Sequence, residues 1–133
     1  VANALYDLGR EGFLDGSIDW DTDSIKIALL SAGYTPNLAT HKFVSDLGAN
    51  IVARSAALGS KTVTAGVADA ADITFSGVTG AAVTRYAIYK DTGTDTTSRL
   101  IALIDTATGL PVTPNGGDIT ITFDNGSNRI FKL

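Results

Sequence analysis

The chain has 133 residues, a formal net charge of -4, no cysteine, no methionine, and a single histidine (His41), glutamate (Glu11) and tryptophan (Trp20). That inventory excludes disulfide frameworks, thiolate metal sites and thiol nucleophiles. Its acidic balance, with lysines and arginines scattered singly, disfavours a nucleic-acid backbone as partner. No apolar run approaches the roughly 20 residues that span a bilayer, and the start lacks the basic and apolar regions of a signal peptide, so neither a membrane nor a secretory leader is expected.

The length predicts one domain over 1–133 with a folded surface of about 6,600 Å². Residues 2–15 predict a helix, with Val1, Leu5, Leu8 and Gly12 on one face and Phe13 beside them. Asn3 is placed to cap it, Asp7 suits the positive end of the helix dipole, and Gly16 suits its termination. Gly9 and Gly12 each weaken a helix by up to ~1 kcal/mol against alanine, so close approach of another backbone is the expected compensation. A helix this short does not persist alone, so segment 1–16 is expected to dock on the domain or on a neighbour.

From Ser17 the pattern turns to strands. Ser24–Ser31 (SIKIALLS) alternates, and Ala32–Asn37 is a loop broken by Pro36. Residues 38–50 suit either a short helix carrying His41, Phe43 and Leu47 or a strand through Phe43 and Val44. Ile51–Ala57, Lys61–Ala65 and Asp72–Phe75 read as short strands. Val83–Lys90 predicts a strand with Val83, Arg85, Ala87 and Tyr89 on one side and Thr84, Tyr86, Ile88 and Lys90 on the other. Asp91–Ser98 is a polar loop, and Leu100–Ile104 is an apolar run of the kind buried on both faces. Asn115-Gly116-Gly117 marks a tight turn after Pro111 and Pro114. Ile119–Phe123 alternates, and Asp124-Asn125-Gly126-Ser127 signals a hairpin with Arg129–Leu133 as the return strand. An apolar ending of this kind is expected to be tied into a sheet. The sum is seven or eight short strands after one helix: a mainly β fold, an antiparallel β-sandwich or jelly roll with a short N-terminal helix.

Few side chains suggest chemistry. Asp19, Asp21 and Asp23 open like a calcium loop, but its sixth and twelfth positions hold Ser24 and Leu30 instead of glycine and glutamate, so an acidic turn is the plainer account. His41 has Ser45 and Asp46 nearby but no nucleophile elbow, which favours a locally hydrogen-bonded histidine over a triad. Glycoside hydrolysis needs two paired carboxylates, and nothing in the sequence singles out one aspartate above the rest. Trp20, Tyr34, Tyr86 and Tyr89 offer stacking faces for a glycan, against the simpler role of core packing. The glycine-bearing turns lack a Walker lysine or a G-x-G-x-x-G spacing, so phosphate cradling is not expected.

Four stretches carry a resemblance: Ala2–Gly16 (ANALYDLGREGFLDG), Ile18–Ile27 (IDWDTDSIKI), Ile88–Thr92 (IYKDT) and Ile104–Leu133. They are similar to a family of small virion structural proteins of tailed bacteriophages. The resemblance covers nearly the whole chain and is strongest at its two ends. It implies a non-enzymatic virion component assembled in the host cytoplasm: a capsid decoration or cement protein, homo-oligomeric on the particle and bound to the major capsid protein or other virion proteins. A tail, collar or baseplate component is the alternative within the virion, and a glycan-binding β-sandwich module the alternative outside it. No catalytic, cofactor or metal residue comes with the resemblance. The candidate contact residues are Leu5, Leu8 and Phe13 near one end and Ile130 and Phe131 at the other.

Overall fold

A computed structural model describes residues 3–107, 109–123, 126–127 and 129–133. The fold is mainly β and antiparallel. Its elements are β1 (Ala4–Leu5), α1 (Asp7–Leu14), β2 (Ile25–Ser31), a 3-10 segment (Val44–Asn50), β3 (Ile51–Arg54), β4 (Thr62–Thr64), β5 (Val67–Asp69), β6 (Ile73–Phe75), β7 (Val83–Lys90), β8 (Arg99–Ile104), β9 (Ile119–Ile121) and β10 (Phe131–Lys132). They form one five-stranded sheet in the order β1-β8-β7-β2-β3 and two smaller ones, β10-β5-β4 and β6-β9. The accessible surface, 6,356 Å², lies close to the value the mass predicts.

The large sheet is apolar on both faces. Ile25, Ile27 and Leu29 of β2 join Tyr86 and Ile88 of β7 on one face, where Ala68, Phe75 and Ile121 of the small sheets close over them as the second layer of a sandwich. Ala28, Leu30, Ala87 and Tyr89 occupy the opposite face beneath Tyr6, Tyr34, Val44 and Leu47. β8 is buried along its whole length, as its apolar run predicts. The ambiguous stretch before Ile51 resolves into helical turns broken at Gly48, whose φ of 64° favours glycine.

Several expectations are corrected. Helix α1 covers only Asp7–Leu14, because Ala4 and Leu5 pair with Leu103 and Ala102 of β8 and so run extended. Tyr6 (φ -69°, ψ 139°) is the helix N-cap, and its N–H donates to Ile101 O at 3.0 Å. Asn3 does not cap the helix. Its Oδ1 accepts from the N–H groups of Asp105 (2.8 Å) and Thr106 (2.9 Å) at the end of β8. The described residues hold ten strands, one of them before the helix, and β5 was not anticipated. Its partner β4 is joined to it by a two-residue turn, Ala65 (φ 51°) and Gly66 (φ 81°), a left-handed pair suited to a tight hairpin.

The side assignment in β7 changes at Val83. Leu30 pairs with Arg85 and Ser31 with Val83, so Thr84 is an extra residue and Val83 swings to the face of Tyr86 and Ile88. The chain end is tied into a sheet, but β10 pairs with β5 and not with β9, which is taken by β6. Of the predicted hairpin turn, Asp124 and Asn125 lie outside the described residues, as do Val1 and Ala2 of the predicted helix.

Candidate functional site: an apolar groove beside an open strand

The two ends of the chain meet. Helix α1 lies on β8 so closely that a Cβ on Gly9 would fall 2.7 Å from Leu100 O and 2.9 Å from Ile101 O, which supplies the close approach its glycine predicts. At Gly12 the crowding comes from side chains, with Ile18 Cδ1 at 2.6 Å from such a Cβ. Gly16 (φ 80°) follows the helix and turns the chain. This seating brings Phe13 against Phe131 of β10, ring centroids 5.9 Å apart, and Trp20 meets Phe131 edge-on at 5.2 Å.

A groove of about 350 Å³ opens beside this aromatic group. Phe13, Ile18, Trp20, Ala68 and Phe131 form its apolar part, Val63 and Leu133 its outer part, and Asp19 and Asp21 its acidic rim. Val63 and Leu133 are 56% and 57% exposed, and Leu14 on the helix is 89% exposed. On the far side of Phe131 a second recess of about 300 Å³ is lined by Leu5, Ile130 and Arg10 among others. Phe131 is thus a wall shared by both. Of the five predicted contact residues, Phe13 and Phe131 line the first groove, and Leu5, Ile130 and Phe131 the second; Leu8 is half-buried and lines neither. Leu5 is largely buried in the chain's own core. The exposed apolar side chains at Leu14, Val63 and Leu133 were not singled out by the sequence. The signal available for Val63 was its place in a short threonine-flanked strand next to a turn.

The acidic run forms a turn. Asp19 N–H donates to Asp23 Oδ2 (2.7 Å), Asp23 N–H returns to Asp19 O (2.9 Å), and Lys90 Nζ lies 3.2 Å from Asp23 Oδ2. Lys61 Nζ donates to the Asp23 carbonyl and Lys90 Nζ to the Ser17 carbonyl. The hydrogen bond from Asp21 holds the Asp19 carboxyl below its ordinary range, and the same bond, with burial and the Asp19 charge, pushes Asp21 up. Among the described residues no group of three or more histidine, aspartate or glutamate side chains is arranged to hold a metal ion.

His41 is locally hydrogen-bonded. Its Nδ1 receives the Asn37 N–H (3.4 Å) and is 2.7 Å from the Tyr34 hydroxyl, which is 2.8 Å from the Tyr6 hydroxyl. Burial raises the Tyr6 pKa, and it raises that of Tyr34 as well. Asp46 is committed elsewhere: its Oδ2 accepts from the N–H groups of Lys42 (2.8 Å) and Phe43 (3.0 Å). Burial opposes its charge, but those two bonds outweigh it and hold the carboxyl below its ordinary value. His41 and Asp46 are therefore engaged separately.

The rings put forward as glycan platforms are all buried: Trp20 and Tyr34 are 3% exposed, Tyr86 4% and Tyr89 1%. Trp20 Nε1 donates to Asp69 O at 3.0 Å, as a packed indole does. These rings fill the core and leave a sugar no face to stack on, so packing is their role. Among the described residues no helix is long and apolar enough to cross a membrane. Compared with family models and with curated proteins, the chain finds no match.

Proposed function

We propose that this chain is a non-enzymatic structural component of a tailed-bacteriophage particle, a capsid decoration or cement protein that braces major capsid subunits. One observation carries the reading beyond the resemblance. The chain ends, where that resemblance is strongest, converge at Phe13 and Phe131 and leave Val63 and Leu133 exposed around one groove. A face of this kind gains about 25 cal/mol for each Å² of apolar surface covered, before association costs. One groove is smaller than a standard interface, so binding through many symmetric copies would supply the hold. In this reading the sandwich core is the rigid body and the groove face is the contact.

Copy number tests it. Quantifying the chain in purified particles should give a count that follows the capsid lattice, and particles stripped of it should release their contents at lower temperature. A count matching a tail, collar or baseplate ring would move the protein to that location. Stripped particles of undiminished stability would refute cementing.

A further inference from the structure

We propose that the outer edge of β4 is a strand-addition site that takes an extended, basic segment of a partner protein, with one apolar side chain seated in the neighbouring groove. The inference does not rest on the particle reading; it stands on the edge, the groove and their charge.

Strand β4 pairs with β5 on one side and, among the described residues, with nothing on the other. All three of its residues are exposed. Its shortness, three residues, is the one device limiting it as an edge: Thr62, Val63 and Thr64 include no proline and no charge, and their register with β5 runs without a bulge. Lys61 flanks the strand, but its ammonium is turned to the Asp23 carbonyl.

The face of this sheet is half covered. Register places Val63 opposite Ala68 and Ala68 opposite Phe131, so the three form one row across β4, β5 and β10. The row is half-buried at Phe131, which packs on Trp20 and Phe13, and core at Ala68, 4% exposed, but Val63 is 56% exposed. A strand added to β4 extends that row by one position and delivers a side chain beside Val63, over the groove. Main-chain hydrogen bonds would give the affinity and the alternate side chains the specificity.

Charge selects the partner. Asp19 and Asp21 stand exposed at the rim. They share a hydrogen bond, and Asp21 is held protonated more readily than an isolated aspartate, a crowding that an incoming cation relieves. A second copy of this chain carries net charge -4 and would bring its own Asp19 and Asp21 near the same edge. An apolar segment bearing lysine or arginine fits where a second copy is repelled.

The test is an NMR titration of the full chain with a short soluble peptide of alternating valine and lysine, alongside its valine–glutamate counterpart. Thr62 and Thr64 pair with Asp69 and Val67 of β5, and Ala68 O is taken by Ile130 N–H on the far side, so the Val63 amide is the one that faces the open edge. The valine–lysine peptide should bind saturably and protect the Val63 amide from exchange. Val63→Ser, and separately the Asp19→Asn/Asp21→Asn pair, should each weaken binding about tenfold. Four results would overturn the proposal: no saturable binding, equal binding of the valine–glutamate peptide, binding that leaves the Val63 amide unchanged, or self-association that protects that amide without peptide.

Discussion

The outer edges of β8 and β4 present the same problem, a row of main-chain groups without a neighbouring strand, and the chain treats them in opposite ways. Along β8, β1 pairs with Leu103 and Ala102, the Tyr6 N–H takes Ile101 O, helix α1 closes over Leu100 and Ile101, and Phe43 bridges to Arg99. Along β4 nothing comparable is placed among the described residues, and Val63 stays exposed. An exposed edge invites association, so an edge left open beside an apolar groove is where contact with another protein is economical. The closed edge shows that this chain can cover a strand; the open one is therefore a feature of its surface.

Substitutions that force the closed edge apart should have the largest effects. Gly9→Val puts a branched side chain into Leu100 O and Ile101 O, both main-chain atoms that cannot rotate away. Chemical denaturation should show a loss of about 3 kcal/mol. Asp46 acts on the same edge by holding the N–H of Phe43, the residue bridged to Arg99. Asp46→Ala should cost about 1 kcal/mol at neutral pH. Because the folded pKa of Asp46 is depressed, its contribution is complete above the unfolded value near ~3.9 and is lost as pH falls through the folded value. The gap between wild type and Asp46→Ala in acid titrations should accordingly close below about pH 4.

Effects at the open edge should be small and of the other sign. Ala65 holds φ 51° in the β4–β5 turn, a conformation asparagine tolerates better, so Ala65→Asn should raise stability by about 0.5 kcal/mol in thermal unfolding. Val63→Thr should leave stability within about 0.5 kcal/mol of wild type, since the side chain is mostly in water. A large loss at Val63 would mean that the edge is built for this fold alone.

The contrast between edges explains what the sequence discloses. Strands β2, β7 and β8 are legible as runs rich in apolar and β-branched residues because their side chains are buried on both faces of one sheet. The bulge at Thr84 leaves no trace in a period of two, so Val83 changes side unannounced. Strand β1 is hidden because Ala4 and Leu5 also satisfy helical spacing, and only the edge of β8, distant in sequence, decides between them. Strand β5 reads Val-Ala-Asp, with one β-branched residue and no alternation to mark it. The return strand after Phe123 is visible, but its partner is not: chain proximity favours β9, while Phe131 gains contact with Trp20 and Phe13 by joining β5. The glycines of α1 did announce a close approach, because their helical cost requires compensation. The groove itself is a product of that convergence, and no local pattern encodes it.

The most direct measurement is amide hydrogen exchange of Val63 in the free chain and in the chain assembled on its particle, with the β8 amides as internal reference. The account predicts fast exchange at Val63 in the free chain, strong protection after assembly, and slow exchange of β8 in both. Equal exchange of Val63 before and after assembly would contradict it.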